Sequence, residues 1–132
     1  MTRAAAPRRP VRVFFDGGCR PNPGPVEAAV VVRGIVHQFD ELGRGNSTDA
    51  EWLALIAALE LAQQLDLRAI ELVGDALEVV KQAKLALQTG CAAPGHAAAF
   101  LGMAAKTPRI RLRWIKRQQN LAGIALAARH PR

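Results

Sequence analysis

Disulfides, zinc ligands and long apolar runs are nearly absent from this sequence. It has 2 cysteines among 132 residues, Cys19 and Cys91, and they form neither a CxxC pair nor a disulfide framework. Its 3 histidines are scattered without the spacing of zinc ligands. Charged residues interrupt every apolar stretch before it reaches the length of a membrane span. These absences exclude a disulfide scaffold and a zinc site, and favour a soluble protein of the reducing cytoplasm with no membrane partner.

Acidic residues are missing from the chain beyond Glu78. Residues 1–78 carry 8 basic and 11 acidic residues, whereas residues 79–132 carry 10 basic residues and no acidic one. The formal net charge is +7. The basic segment 79–132 predicts a polyanionic partner. The acids kept in residues 1–78 predict carboxylates with a specific function. A basic, solvated surface without a partner is the alternative.

The length and apolar content predict one folded domain. Half of the 132 residues are hydrophobic, which is enough for a core but leaves little room for a second domain. Residues 1–10 are small, basic and proline-containing, and lack the apolar stretch of a signal peptide. We therefore expect a flexible basic N-terminus over residues 1–10 and a single domain over residues 11–130.

Hydrophobic periodicity predicts elements in the order β-β-β-α-β-α-α-β-α. Strands are predicted at 11–15, 28–33, 35–39, 69–73 and 109–115, and helices at 49–65, 75–87, 97–105 and 121–129. A strand meander followed by alternating strands and helices is typical of an α/β fold with a mixed sheet, antiparallel at one edge. Thr48 or Asp49 is expected to cap the first helix, and Trp52 and Trp114 are expected to pack in the core.

Three carboxylates are placed where they can meet at one edge of this sheet. Asp16 ends the first strand, Asp75 follows the fourth, and Glu51 lies in the first turn of the first long helix. Crowded carboxylates favour a hard divalent cation such as Mg²⁺ or Mn²⁺, and two such ions can promote phosphoryl hydrolysis. Singly, each acid also has a local interpretation, as a turn former, a helix-dipole partner or an N-cap.

Four segments of the chain resemble the motifs of type I ribonucleases H. They are FDGGCRPNPGP at 15–25, DAEW with AALE within 49–60, GDALEVVKQ at 74–82 and WIKRQQN at 114–120. The resemblance implies a ribonuclease H-like fold, with a five-stranded mixed sheet flanked by helices. It also implies hydrolysis of the RNA strand of RNA–DNA hybrids with two Mg²⁺ ions. Asp16, Glu51 and Asp75 match the first three catalytic, metal-binding acids of that family.

The resemblance also assigns contacts to the nucleic acid. Positions that touch the hybrid in this family are matched by Gly17, Gly18, Cys19 and Asn22. Where the family has asparagines that contact the DNA strand, this chain offers Asn46 and Thr48 as replacements. Discrimination between the two strands would depend on the 2′-hydroxyl of RNA.

The chain departs from the family at the fourth acid. After the Arg117-x-x-Asn120 turn, Ile124 occupies the position at which the family has an aspartate. We therefore expect a weakened or Mn²⁺-preferring endonuclease. The alternative is a degenerate domain that binds nucleic acid without cutting it. Arg109, Arg111 and Arg113 alternate on one strand, which is consistent either with a phosphate-contacting stripe or with a solvated edge.

Overall fold

The structure is a computed structural model that describes residues 9–130, so most of the predicted flexible N-terminus lies outside the described residues. Residues 9–130 form six strands, of which β4 is very short, and four α-helices. The strands are β1 Val11–Cys19, β2 Gly24–Val32, β3 Ile35–Phe39, β4 Arg44–Gly45, β5 Ala69–Gly74 and β6 Arg109–Trp114. The helices are α1 Ser47–Gln64, α2 Leu77–Thr89, α3 His96–Ala104 and α4 Leu121–Ala128.

Five of the strands form one mixed sheet in the order β3-β2-β1-β5-β6, while β4 pairs with the start of β2. β1 pairs antiparallel with β2, and β2 with β3, whereas β1–β5 and β5–β6 are parallel. The predicted fold class and the antiparallel edge are therefore confirmed. The parallel strands bring the carboxyl ends of β1 and β5 to the same region of the sheet.

The two faces of the sheet are covered unequally. Val13 and Phe15 of β1 and Leu72 of β5 point to one face and are fully buried in the main core, which α1, α2 and α3 cover. On the other face α4 packs on β1, β2 and β3, where Ala122 and Leu126 form a smaller core with neighbouring residues of β2. The residues at the end of α4 also contact β2, since Arg129 Nη1 lies 3.0 Å from Glu27 Oε1.

Three local features differ from the sequence-based expectations. β1 extends to Cys19 because Gly17, Gly18 and Cys19 pair with residues 26–28 of β2, although no apolar pattern marks that pairing. Asn46, and not Thr48 or Asp49, caps α1: its Oδ1 accepts from the Asp49 N–H and its own N–H donates to Asp49 Oδ2, both at 2.9 Å. A 3₁₀ turn, Arg117–Gln119, precedes α4.

The two tryptophans have different environments. Trp52 is 4 % exposed and packs in the core as predicted. The prediction for Trp114 is wrong, because this residue is 42 % exposed at the end of β6. Its indole N–H donates to the Asp75 carbonyl at 3.0 Å, so the periodic apolar run that contains it ends at the surface beside Asp75.

Across residues 9–130, none of the helices combines the length and the apolar character needed to cross a bilayer.

Candidate metal centre

Asp16, Glu51 and Asp75 converge at one edge of the sheet. Asp16 lies within β1, Glu51 in the first turn of α1, and Asp75 directly after β5. Each offers a carboxylate oxygen, and the three oxygens lie within 4.8 Å of one another. In the sequence, Glu51 and Asp75 lie 35 and 59 residues after Asp16. The parallel pairing of β1 with β5 and the packing of α1 on β1 bring the three acids together.

Hydrogen bonds from neighbouring groups orient two of the three acids. The backbone N–H of Gly17 donates to Glu51 Oε1 at 3.2 Å. The side chain of Asn120 donates through Nδ2 to Asp75 Oδ2 at 2.8 Å and to the Phe15 carbonyl at 3.0 Å. Asn120 is fully buried and also caps α4, because its Oδ1 accepts from the Ala122 N–H at 3.1 Å. One buried amide therefore links β1, the end of β5 and α4.

Two glycines allow the elements that carry the acids to approach each other. A Cβ on Gly17 would lie 2.1 Å from the Ala50 carbonyl oxygen, so no side chain fits between β1 and the start of α1. A Cβ on Gly74 would lie 2.4 Å from Phe15 Cζ. Both glycines precede or follow a site carboxylate directly, and the separation of those carboxylates depends on these close contacts.

Burial and mutual repulsion raise the proton affinity of the cluster. Burial, followed by the charge of Asp75, raises the pKa of Asp16 from 3.8 to about 7. Burial, followed by the charges of Asp16 and Asp75, raises the pKa of Glu51 from 4.5 to about 8. The Arg117 guanidinium opposes both shifts. The metal-free site therefore holds protons near neutral pH, and a cation that binds there must compete with them.

The donor set matches a hard divalent cation. Three carboxylates present oxygen ligands within one small volume, and oxygen is the ligand that Mg²⁺ and Mn²⁺ prefer. The crowding that raises the carboxyl pKa values is the electrostatic cost that a dication offsets. Asp16, Glu51 and Asp75 are therefore the residues that would hold it.

We expect Glu51→Gln to change the pH dependence of stability in metal-free protein. A carboxyl whose pKa is raised on folding stabilises the fold fully below its unfolded pKa, and this contribution is lost as the pH rises through the folded value. Thermal unfolding in a chelator should therefore give a melting temperature that falls between about pH 4 and 9 in the wild type and falls less in Glu51→Gln.

The control is Glu60→Gln, which removes an exposed carboxylate from the same helix. It should reproduce the wild-type curve. Parallel curves for Glu51→Gln and the wild type would contradict the assignment of a shared, crowded charge to Glu51.

A cleft of about 550 Å³ opens beside the acids, and several predicted substrate contacts line it. Gly17, Gly18 and Cys19 are among its lining residues, together with Arg20 and Arg117. These three positions thus lie where the sequence placed them, next to Asp16. Their contact with nucleic acid stays a prediction.

The remaining predicted contacts lie on the adjacent turn and helix start. Asn22 Nδ2 donates to Ser47 Oγ at 2.8 Å, which ties the loop after β1 to the first residue of α1. The Asn46 side chain is used in the capping box of α1, and Thr48 is exposed in its first turn. Asn46 and Thr48 therefore lie at the rim of the α1 N-terminus rather than against the acids.

Two residues of the site were not singled out as functional from the sequence. Arg117 lines the cleft and its charge acts on Asp16 and Glu51. Asn120 holds Asp75, as described above. Both belong to the Arg-x-x-Asn turn, which the sequence shows as a motif. The sequence does not show that this turn lies beside the acids, because that depends on the packing of α4 against β1.

Ile124, which by the resemblance stands where the family has its fourth acid, lies on α4. Ile124 is 55 % exposed, one residue after Gly123. Gly123 faces the acids more closely, since a Cβ placed on it would lie 3.6 Å from Asp16 Oδ2. Within the described chain, Asp16, Glu51 and Asp75 form the acidic cluster here, and α4 contributes no carboxylate to it.

Comparison with known proteins connects this site to a set of relatives. A family model described as reverse transcriptase-like matches residues 14–130. Ribonuclease HI of Halobacterium salinarum is 42% identical over 89 residues, which are 62% of this chain and 45% of that protein. The chain therefore spans less than half the length of this curated relative.

Solved structures of related proteins share the fold. Ribonuclease H1 from Halobacterium salinarum superposes with a TM-score of 0.68 at 29% identity, covering 91% of this chain and 99% of that one. LC11 ribonuclease H1, isolated from compost and solved with an RNA/DNA hybrid, gives a TM-score of 0.66 at 25% identity over 84% of this chain and 88% of that one.

Proposed function

The chain belongs to the reverse transcriptase-like family, and we propose that it is a divalent-metal-dependent endonuclease that hydrolyses the RNA strand of RNA–DNA hybrids in the cytoplasm. The convergence of Asp16, Glu51 and Asp75 within 4.8 Å is the observation that carries the proposal. The similarity to ribonuclease HI, and to a ribonuclease H1 solved with a hybrid, supports the substrate.

The residues of the site have separate tasks in this reaction. Asp16, Glu51 and Asp75 would hold the cation, Mg²⁺ or Mn²⁺, which would supply a Lewis acid for the scissile phosphate and lower the pKa of a bound water. The Gly17 N–H keeps Glu51 turned toward Asp16, and Asn120 keeps Asp75 in place. Arg117 adds a positive charge at the cleft, where negative charge accumulates as the phosphate is attacked. Gly17, Gly18 and Cys19 leave the cleft wall low enough for a sugar-phosphate backbone to approach.

Asp16→Asn should abolish cleavage of a labelled RNA–DNA hybrid. Asp16 is one of the three carboxylates that converge within 4.8 Å, so its loss removes a ligand and part of the negative charge that attracts the cation. We expect the rate with Mg²⁺ or Mn²⁺ to fall by more than ~100-fold. The assay compares wild type and variant on hybrid, duplex DNA and duplex RNA.

The control for that assay is Asp66→Asn, which removes an acid from the exposed turn after α1. It should cut at the wild-type rate. Salt-sensitive binding of the hybrid by the wild type, with no cleavage under either ion, would refute the enzyme and support the degenerate binding domain.

The replacement of the fourth acid by Ile124 is part of the proposal. By the resemblance, an acid at this position would hold one of the two ions together with Asp16. We infer that, with Ile124 there, α4 would supply no ligand to that ion, so that activity is weak or favours Mn²⁺. Ile124→Asp should then raise the rate of hybrid cleavage with Mg²⁺ by roughly 10-fold. Gly123→Asp is the comparison, because its Cβ would already lie 3.6 Å from Asp16 and its carboxylate would crowd that acid. An unchanged rate in Ile124→Asp would rule out this account of the missing ligand.

A further inference from the structure

The face of the sheet that α4 only partly covers carries a row of arginines. β6 contributes Arg109, Arg111 and Arg113, which are exposed and alternate with Ile110 and the buried Leu112. Leu112 belongs to the main core, so the three arginines point to the opposite face. Within residues 9–130, α4 packs on β1, β2 and β3, so β5 and β6 have no helix above them on this side.

Strand register extends this row across the sheet. Arg12 of β1 is paired with Glu71 of β5, and Glu71 with Arg111 of β6. Paired residues of neighbouring strands point to the same face, about 5 Å apart. Arg33, at the turn after β2, adds a further exposed arginine at the same cleft. We call this surface the arginine face and define it by Arg9, Arg12, Arg33, Arg109, Arg111 and Arg113.

Most of the positive charge of the arginine face is uncompensated. A cleft of about 800 Å³ on this face is lined by five of the arginines and one acid, Glu71. Glu71 Oε1 lies 3.5 Å from Arg12 Nε. None of the other arginines of the face forms an ion pair with a residue between 9 and 130. The segments 1–8 and 131–132 contain arginine but no aspartate or glutamate. The face therefore presents a net positive charge to a polyanionic partner.

We propose that the arginine face binds the sugar-phosphate backbone of nucleic acid outside the metal centre. Arginine forks bind phosphate oxygens well, and Phe14 and the exposed Leu121 give the same cleft apolar surface beside the charges. Contacts to the sugar-phosphate backbone do not involve the edges of the bases, so this binding is independent of base sequence.

The arginine face is continuous with the metal centre. Arg12, Phe14 and Asp16 are alternate residues of β1 and therefore point to one side of the sheet. Arg12 lies about 13 Å along the strand from Asp16, which is the length of roughly four base pairs of duplex. Arg113 and Asp75 lie at the same end of the parallel strands β6 and β5. A duplex engaged at the acids, as in the proposed function on which this inference rests, can therefore reach the arginines.

Salt-dependent binding tests the arginine face separately from cleavage. Wild type and Arg109→Gln/Arg111→Gln/Arg113→Gln are titrated with a labelled hybrid of roughly 20 base pairs in a chelator, between about 50 and 200 mM salt. Each phosphate contact contributes about 0.9 to the slope of log K against log salt, so the triple variant should lose about 2–3 from the slope and roughly 10-fold or more in affinity.

The matched control removes three exposed lysines from other surfaces, as Lys81→Gln/Lys84→Gln/Lys106→Gln. It should keep the wild-type slope. An equal loss in both triple variants would show a non-specific effect of net charge and overturn the proposal. An unchanged slope in the arginine variant would also overturn it and leave the face to an acidic protein. Because no cleavage is measured, failure of the proposed nuclease activity does not affect the outcome.

Discussion

Gly17→Ala should abolish nuclease activity and strongly destabilise the fold. The added Cβ would lie 2.1 Å from the Ala50 carbonyl oxygen and 3.1 Å from the Ala54 Cβ, and the first of these is backbone that no rotamer change can move. The start of α1 must therefore shift away from β1, at a cost of about 1–3 kcal/mol or more. Glu51 moves with α1, and a displacement of ~1 Å at a catalytic group costs roughly 100-fold in rate.

The measurements are thermal unfolding and hybrid cleavage, with Gly18→Ala as the control for stability. A Cβ on Gly18 would meet Leu126 Cδ2 at 3.7 Å, an ordinary contact, although this glycine is the next residue of the same strand. Gly18→Ala should therefore melt close to the wild type. A Gly17→Ala protein with wild-type stability and activity would show that α1 does not depend on this close approach.

Asn120→Ala should have a large effect on both stability and cleavage, because one side chain makes three hydrogen bonds in a fully buried position. The substitution removes the cap of α4, worth about 1 kcal/mol, and leaves the buried Phe15 carbonyl without its donor, at about 1–3 kcal/mol. Asp75 loses the amide that orients it. We expect a lower free energy of unfolding by about 2–4 kcal/mol and a large loss of cleavage.

Two variants separate the roles of Asn120. Asn120→Asp keeps the acceptor that caps α4 but replaces the donor with a charge facing Asp75, so it should retain the helix and still lose activity. Asn46→Ala removes a cap from α1 without contacting Asp75, and should cost about 1 kcal/mol. If Asn120→Ala destabilised the protein no more than Asn46→Ala does, the hydrogen bonds from Asn120 to Phe15 and Asp75 would not contribute to stability.

The sequence predicted the fold class and the convergence of the acids because both depend on local patterns. Asp16 and Asp75 follow apolar strand segments, and parallel strands end at a common edge. The sequence could not show that β1 continues through Gly17 and Gly18, because their pairing with β2 depends on backbone hydrogen bonds and leaves no apolar pattern.

Residues whose role depends on distant contacts were also missed. Trp114 is exposed because β6 is an edge strand and its last residue lies beyond the helices. The hydrophobic periodicity of residues 109–115 does not predict where the strand lies in the sheet. Asn120 is buried because α4 packs back on β1. Polar residues in a turn are usually solvated, so burial of this amide follows from tertiary structure alone.

The hydrogen bond from Asn120 to Phe15 joins residues 105 positions apart. A nascent chain that has been synthesised as far as Lys116 already contains all three acids, but it lacks the buried amide that fixes Asp75 and the helix that covers β1. Such an incomplete chain contains the three carboxylates but lacks the contacts that hold them in position. The proposed cutting activity would therefore require the Arg-x-x-Asn turn and α4, and a product that stopped at Lys116 would be inactive although its acidic motifs are intact.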